Sequence, residues 1–89
     1  MGEVLAIFKI YPKDINIDLN KIIDELKKAL PENIKIARTE EEPIAFGLKV
    51  LKVAMIMPED LEGGTSTIED TILKLPQVSQ VEVEYVTRV

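Results

Sequence analysis

The chain has no cysteine, no histidine and no tryptophan among its 89 residues, and its aromatics stop at two phenylalanines and two tyrosines. Without Cys no disulfide can staple the fold. With His missing as well, the common zinc sites and the Ser-His and Cys-His nucleophile arrangements are excluded by composition, so any chemistry rests on carboxylates, Lys, Arg or hydroxyls. The length predicts one domain over 1–89. At this size folding removes only roughly 60–65% of the unfolded chain's surface from water, so the core must come from well-patterned elements. No apolar run reaches the length of a membrane span. The opening "MGEVLAIFKIYP" has no positive leader and is interrupted by Lys9, which predicts neither a signal peptide nor a membrane helix, and therefore cytoplasmic residence. Ala6 at the sixth position speaks against N-myristoylation, which calls for Ser or Thr there.

What the chain does have is charge. Charged residues make up 30% of it, and 16 acidic against 11 basic side chains leave a formal net charge of −5. Net negative charge repels a phosphate backbone, and no basic cluster offsets it. Direct nucleic-acid binding is therefore disfavoured, and a partner with a basic face is the better electrostatic match.

Proline and hydrophobic periodicity divide the chain into six elements. "VLAIFKIY", Val4 to Tyr11, is nearly continuous apolar and closed by Pro12, as a strand covered on much of both faces would be. Asp18 can cap a helix over "LNKIIDELKKAL", whose Leu19, Ile22, Ile23, Leu26, Ala29 and Leu30 recur at spacings of three and four until Pro31 stops it. "NIKIART" alternates Ile34 and Ile36 against Lys35 and Arg38, as a half-exposed strand does. After the acidic "EEEP" loop, Gly47 to Met57 forms a second long apolar strand ended by Pro58. Beyond the loop "PEDLEGG", Thr65 or Ser66 can cap a helix, with Glu69 completing a capping box and Ile68, Ile72 and Leu75 as its buried stripe. "VSQVEVEYVTRV" closes the chain with Val81, Val83 and Tyr85 alternating against Glu82 and Glu84.

The order is β-α-β-β-α-β. The two nearly continuous apolar strands belong at the centre of a sheet and the two alternating ones at its edges. With two right-handed crossovers the compact solution is an antiparallel sheet ordered 4-1-3-2 with two helices on one face, the ferredoxin-like α+β sandwich. The other sheet face stays open, and strand parity predicts Glu82, Glu84, Val86 and Arg88 on it. This fold hosts many activities, so sites must decide. An RNA-recognition surface needs stacking aromatics on both central strands, but Phe8 and Tyr11 lie on the first and the third has none. A metal-delivery domain needs a Cys pair. Acylphosphatase-like chemistry needs an Arg in the loop after the first strand, where "YPKDINID" offers Lys13 among carboxylates. Glu40 to Glu42 read as a solvated loop cluster in preference to a metal site, and "EGGT" as a tight turn before a helix in preference to a phosphate cradle.

The stretch "EEPIAFGLKVL", Glu41 to Leu51, followed by "PEDLEGGT" and "VEVEYVTRV", closely resembles the archaeal elongation factor 1-beta family across the whole chain. It is also similar to the C-terminal exchange domain of the eukaryotic elongation factor 1-beta subunits, where a Gly-aromatic-Gly-Ile-Lys-Lys-Leu segment corresponds to "AFGLKVL". The resemblance implies a guanine-nucleotide exchange factor for elongation factor 1-alpha, the GTPase that carries aminoacyl-tRNA. It implies binding without covalent chemistry, with no catalytic residue, no cofactor and no metal, no membrane and no direct nucleic-acid contact. Self-association stays open. Because the eukaryotic proteins carry additional N-terminal regions, the resemblance also implies a minimal exchange module.

By the same resemblance the partner-binding residues are Phe46, Gly47, Val86 and Arg88. The eukaryotic domains have Lys at the position of Arg88, and this basic side chain reaches the GTPase's magnesium and phosphate region. They often have a bulkier residue at the position of Val86. The residues by themselves leave Phe46 open between a buried Phe beginning the third strand and a projecting contact. They also leave open a different class, a small-molecule-sensing or oligomerising regulatory domain of the same fold.

Overall fold

The computed structural model describes residues 2–89; Met1, where the "MGEVLA" reading begins, lies outside the described residues. Six elements follow in order: β1 (Glu3–Pro12), α1 (Leu19–Ala29), β2 (Lys35–Ala45), β3 (Leu48–Pro58), α2 (Gly64–Leu73) and β4 (Val78–Arg88). The sheet is antiparallel and ordered β2-β3-β1-β4, which is the predicted ferredoxin-like topology. The two apolar strands take the centre, where each is flanked by a strand on both sides, while the alternating strands tolerate an edge.

One apolar cluster joins the sheet to the helices. Ala6, Phe8 and Ile10 of β1 and Leu51, Val53, Met55 and Met57 of β3 meet Leu19, Ile22 and Leu26 of α1 and Ile68 and Ile72 of α2. No charged or polar residue is buried among the described residues. Strand parity sends the other residues of β1 and β3, including Lys9, Tyr11, Lys52 and Ala54, to the open face.

Helix α1 begins as predicted. Asp18 is its N-cap and accepts a hydrogen bond from the Asn20 N–H at 2.9 Å, and Leu30 closes it with an N–H bonded to the Leu26 carbonyl at 3.0 Å. Helix α2 departs from the expected capping box. It begins at Gly64, so Thr65 and Ser66 lie inside its first turn, and its N-cap is Gly63 with φ +79° and no side-chain cap. A left-handed N-cap is open to glycine, and a Cβ on Gly63 would collide with Thr67 Oγ1. That hydroxyl instead donates to the Glu62 carbonyl at 3.0 Å. The glycine pair turns the chain into the helix before any hydroxyl is reached.

Both edge strands slip at two places against their neighbours, at Pro43/Ala45 on β2 and opposite Tyr11/Pro12 on β4, and at one further place on each. On β2, Ile36 faces Met55 and Arg38 faces Ala54, so Ala37 is the extra residue. On β4, Val83 faces Phe8 and Tyr85 faces Ile7, which leaves Glu84 extra. Each bulge reverses the alternation beyond it. On β2 it swings Arg38 onto the open face. On β4 it brings Tyr85 to the open face opposite Ile7 and takes Val86 and Arg88, opposite Ala6 and Val4, to the side of the helices. The predicted placement of Val86 and Arg88 on the open face is therefore corrected, whereas Glu82 and Glu84, up to and including the bulge, remain there.

Candidate functional site

The "EEEP" segment is strand, since Glu40–Glu42 lie within β2 and only two residues, Phe46 and Gly47, connect Ala45 to its partner Leu48. This is a tight hairpin, and it replaces the loop expected there. Both turn residues have positive φ, +53° at Phe46 and +78° at Gly47, the combination that matches the right-handed twist of paired strands. Gly adopts it freely. Phe does not, because its Cβ crowds the backbone, at a cost of roughly 1–2 kcal/mol. Phe46 is nevertheless 100% exposed, so it recovers none of that by packing. The buried-Phe alternative is removed. Exposed Ile44 stands beside it, and exposed Ile15 in the β1–α1 loop lines the same surface depression as Gly47, together with Asp14, Glu41 and Lys49. Ile15 went unremarked in the sequence, although an isolated Ile within "PKDIN" was a usable signal.

Val86 and Arg88 lie at the other end of the molecule. Arg88 faces Val4, and Glu3 faces Pro58 at the far end of β3 from Leu48, so the hairpin tip and Arg88 are separated by about the length of β3, roughly 34 Å at 3.4 Å per residue. That matches the long, 43 Å axis of the molecule. The structure therefore brings Phe46 and Gly47 together and Val86 and Arg88 together, as two separate patches. Val86 is exposed on the same face as Arg88, whose side chain is 82% exposed, while exposed Tyr85 lies on the opposite, open face. β4 holds its geometry to this point, since the Val89 N–H donates to the Glu3 carbonyl at 3.0 Å.

Between the patches the open face carries an ion network. Lys52 Nζ lies 2.7 Å from Glu42 Oε2 and 3.4 Å from Glu84 Oε1, and Lys9 Nζ approaches Glu42 at 3.9 Å. Glu41, next in sequence, is directed to the opposite face and pairs with Lys49 at 3.7 Å. Strand alternation thus prevents the three acidic residues from converging on one ion. The hydrogen bond from Lys52 holds the Glu42 carboxyl below its ordinary range against a weaker desolvation that pushes the other way, and the charges of Lys52 and Lys9 add to the lowering. The bond to Glu42 likewise raises Lys52, with Glu84 contributing and desolvation opposing.

A depressed carboxylate stabilises the fold above its unfolded pKa, and this contribution is lost as pH falls through the folded value. A raised lysine contributes below its unfolded pKa and loses that contribution as pH rises through the folded one. The network is therefore indifferent to pH across the neutral range. Lys52→Gln is expected to move the Glu42 titration, followed by the side-chain carboxyl NMR shift, upward toward the ordinary carboxylate range, with Lys9 still lowering it. An unchanged Glu42 midpoint would show that the pair does not form.

Three comparisons bear on the chain. The family model described as the EF-1 guanine nucleotide exchange domain matches residues 5–89. A protein of Staphylothermus marinus named Elongation factor 1-beta is 49% identical over 89 residues, covering 100% of this chain and 99% of its own length. The protein of that name from Desulfurococcus amylolyticus is 49% identical over 88 residues, with 99% and 98% covered, and that from Metallosphaera sedula is 46% identical over 88 residues, with 99% and 97% covered. Among solved structures, the C-terminal domain of the MgtC protein from Mycobacterium tuberculosis superposes with a TM-score of 0.59 at 10% identity, covering 99% of this chain and 88% of that one. That likeness is one of fold alone.

Proposed function

The chain belongs to the EF-1 guanine nucleotide exchange family, and from that premise we propose that it promotes exchange of GDP for GTP on elongation factor 1-alpha by binding it through the two patches at the ends of its sheet. In this reading the chain is a single exchange domain over residues 1–89 acting in the cytoplasm, where its GTPase works. It forms and breaks no covalent bond. It binds the nucleotide-free GTPase more tightly than the GDP-bound form, and by linkage it weakens GDP by the same factor.

The observation that carries this reading is Phe46, a fully exposed aromatic held at φ +53° in a two-residue turn. Free folding gains nothing from such a residue, whereas an interface gains a rigid anchor that needs little further ordering. Gly47 beside it allows the turn, and its missing side chain lets a partner's surface close in. At the other patch Val86 supplies apolar contact, and Arg88, permanently charged, is directed at the region of the GTPase that holds magnesium and the GDP phosphates, where a fixed cation competes with the metal. The net charge of −5 favours encounter with a GTPase whose surface is basic because it binds tRNA. A partner touching both patches must span the long axis of the sheet, which suits a GTPase of several domains.

Titration calorimetry with elongation factor 1-alpha tests the reading. The expected result is a one-to-one complex markedly tighter without GDP than with it. Equal affinities in the two states would remove the exchange mechanism, and a homo-oligomer with a bound metabolite and no affinity for the GTPase would place the chain among small-molecule-sensing domains instead.

A further inference from the structure

The end of the sheet that carries Arg88 has a second charged residue whose backbone is equally well fixed. Glu59 follows β3 directly, and its N–H donates to the Gly2 carbonyl at 3.1 Å, while on the other side of β1 the Val89 N–H donates to the Glu3 carbonyl at 3.0 Å. The start of β1 thus holds Glu59 and the Arg88–Val89 segment at once. Across it the Arg88 Nε lies 3.9 Å from Glu59 Oε2. The absence of a side chain at Gly2 is what leaves room for this carboxylate, since a Cβ there would come within 2.7 Å of the same oxygen. The β4 bulge completes the arrangement. Without the extra residue at Glu84, Arg88 would lie on the open face, away from the helix side on which it meets Glu59.

We infer that Glu59 is a positioning residue for Arg88, holding its guanidinium side-on at the end of the sheet so that the charge is presented to the partner in one stance. Exposed ion pairs at this distance add little to folding stability. Their effect on a long, rotamer-rich side chain is to narrow where its charge can go, and a group ordered before binding loses less freedom on binding. The approach is an ion pair on the Nε side and longer than a hydrogen bond, so the N–H donors of the planar fork stay available to a second anion. A lysine at position 88 would offer its three N–H donors from a single nitrogen, without the separated edges of the arginine fork. The inference rests on the reading that Arg88 acts at the partner's nucleotide site, and the experiment separates the two.

The experiment combines the free protein and the complex. Glu59→Gln keeps the shape of the side chain and removes its charge; Asp60→Asn, one residue on, removes a charge of the same sign from the same loop and serves as the control. In the free protein the Arg88 Nε–H resonance is followed by 15N–1H NMR. In the complex, release of fluorescent GDP from elongation factor 1-alpha is followed at saturating concentrations of each variant. Glu59→Gln is expected to move the Arg88 resonance and to slow stimulated release about fivefold without changing the concentration giving half the effect. Asp60→Asn is expected to do neither, and Glu59→Gln combined with Arg88→Ala is expected to be no slower than Arg88→Ala alone. A resonance and a rate that respond to Glu59→Gln no more than to Asp60→Asn would overturn the inference, as would a double variant slower than Arg88→Ala. Release undiminished by Arg88→Ala would overturn the role of Arg88 itself, and a resonance that still responds to Glu59→Gln would identify that as the failure.

Discussion

Replacing Phe46 by Ala is expected to weaken binding to elongation factor 1-alpha by about 2 kcal/mol or more, roughly thirtyfold in Kd, while leaving folding stability nearly unchanged. The separation of the two effects follows from its position. Truncating a Phe buried like Phe8 costs about 3–5 kcal/mol because a cavity is left behind, but Phe46 is 100% exposed and no core contact is lost with it. Phe46→Asn sharpens the test. Asn tolerates the left-handed region and makes the following Gly47 part of an Asn-Gly turn, the preferred sequence for a two-residue hairpin. That variant should bind as poorly as Phe46→Ala yet unfold at higher urea, with a gain of up to about 1 kcal/mol. A residue that lowers the stability of its own fold and raises affinity for a partner is expected at a functional site. Denaturation curves and titrations of the three proteins decide the matter. A stability loss of about 3 kcal/mol in Phe46→Ala, or unimpaired binding by Phe46→Asn, would contradict the role assigned to the hairpin tip.

Arg88→Ala is expected to reduce stimulated GDP release at least about tenfold, equivalent to roughly 1.4 kcal/mol of lost barrier lowering, with the fold and most of the affinity retained. Retention is expected because the Arg88 side chain is 82% exposed and its ion pair with Glu59 spans 3.9 Å, a contact of little weight for stability. The loss falls on the rate because a cation that competes with magnesium acts at the nucleotide and not on the bulk of the interface. The magnesium dependence is the signature. If Arg88 works against the metal, the deficit of the Ala variant should shrink as magnesium is lowered, since GDP is then already loosened. Arg88→Lys keeps the charge and loses the planar fork, so it should fall between the two. Stopped-flow release across a magnesium titration, at saturating factor, reads all three variants. Equal rates for Ala and wild type at every magnesium level would remove Arg88 from the mechanism.

The course of the sheet was legible because its physics is periodic. Phe8 and Ile10, and Met55 and Met57, belong to long apolar runs that suit the centre of a sheet better than its edges, and Leu19, Ile22 and Leu26 repeat at the period of a helix. What the pattern could not reveal were the local departures from period. A bulge at Glu84 changes no residue type, yet it turns Val86 and Arg88 from one face to the other. Parity counted straight through "VEVEYVTRV" therefore fails after the fourth residue. Its one sign is that Val81 and Val83 are followed by an even-numbered Val86, a change of phase in the apolar residues. The hairpin at Phe46 was hidden by charge. "EEEP" suggests a loop, but on an edge strand acidic side chains are supported by cross-strand lysines, here Lys49 and Lys52. Two strand-like runs separated by a two-residue turn ending in Gly were the available clue. At α2 the hydroxyls Thr65 and Ser66 outcompeted the glycines as apparent caps, because a glycine's left-handed turn leaves no trace in side-chain chemistry.

The exchange reading itself is tested most directly by one rate. Elongation factor 1-alpha is loaded with a fluorescent GDP analogue and mixed with excess unlabelled GDP, with and without this chain, and the fluorescence decay is followed. Release is expected to accelerate with factor concentration, to saturate as the complex fills, and to return toward the unstimulated rate on addition of magnesium. Binding of the chain to the GTPase with no change in the rate of GDP release at any concentration would contradict it.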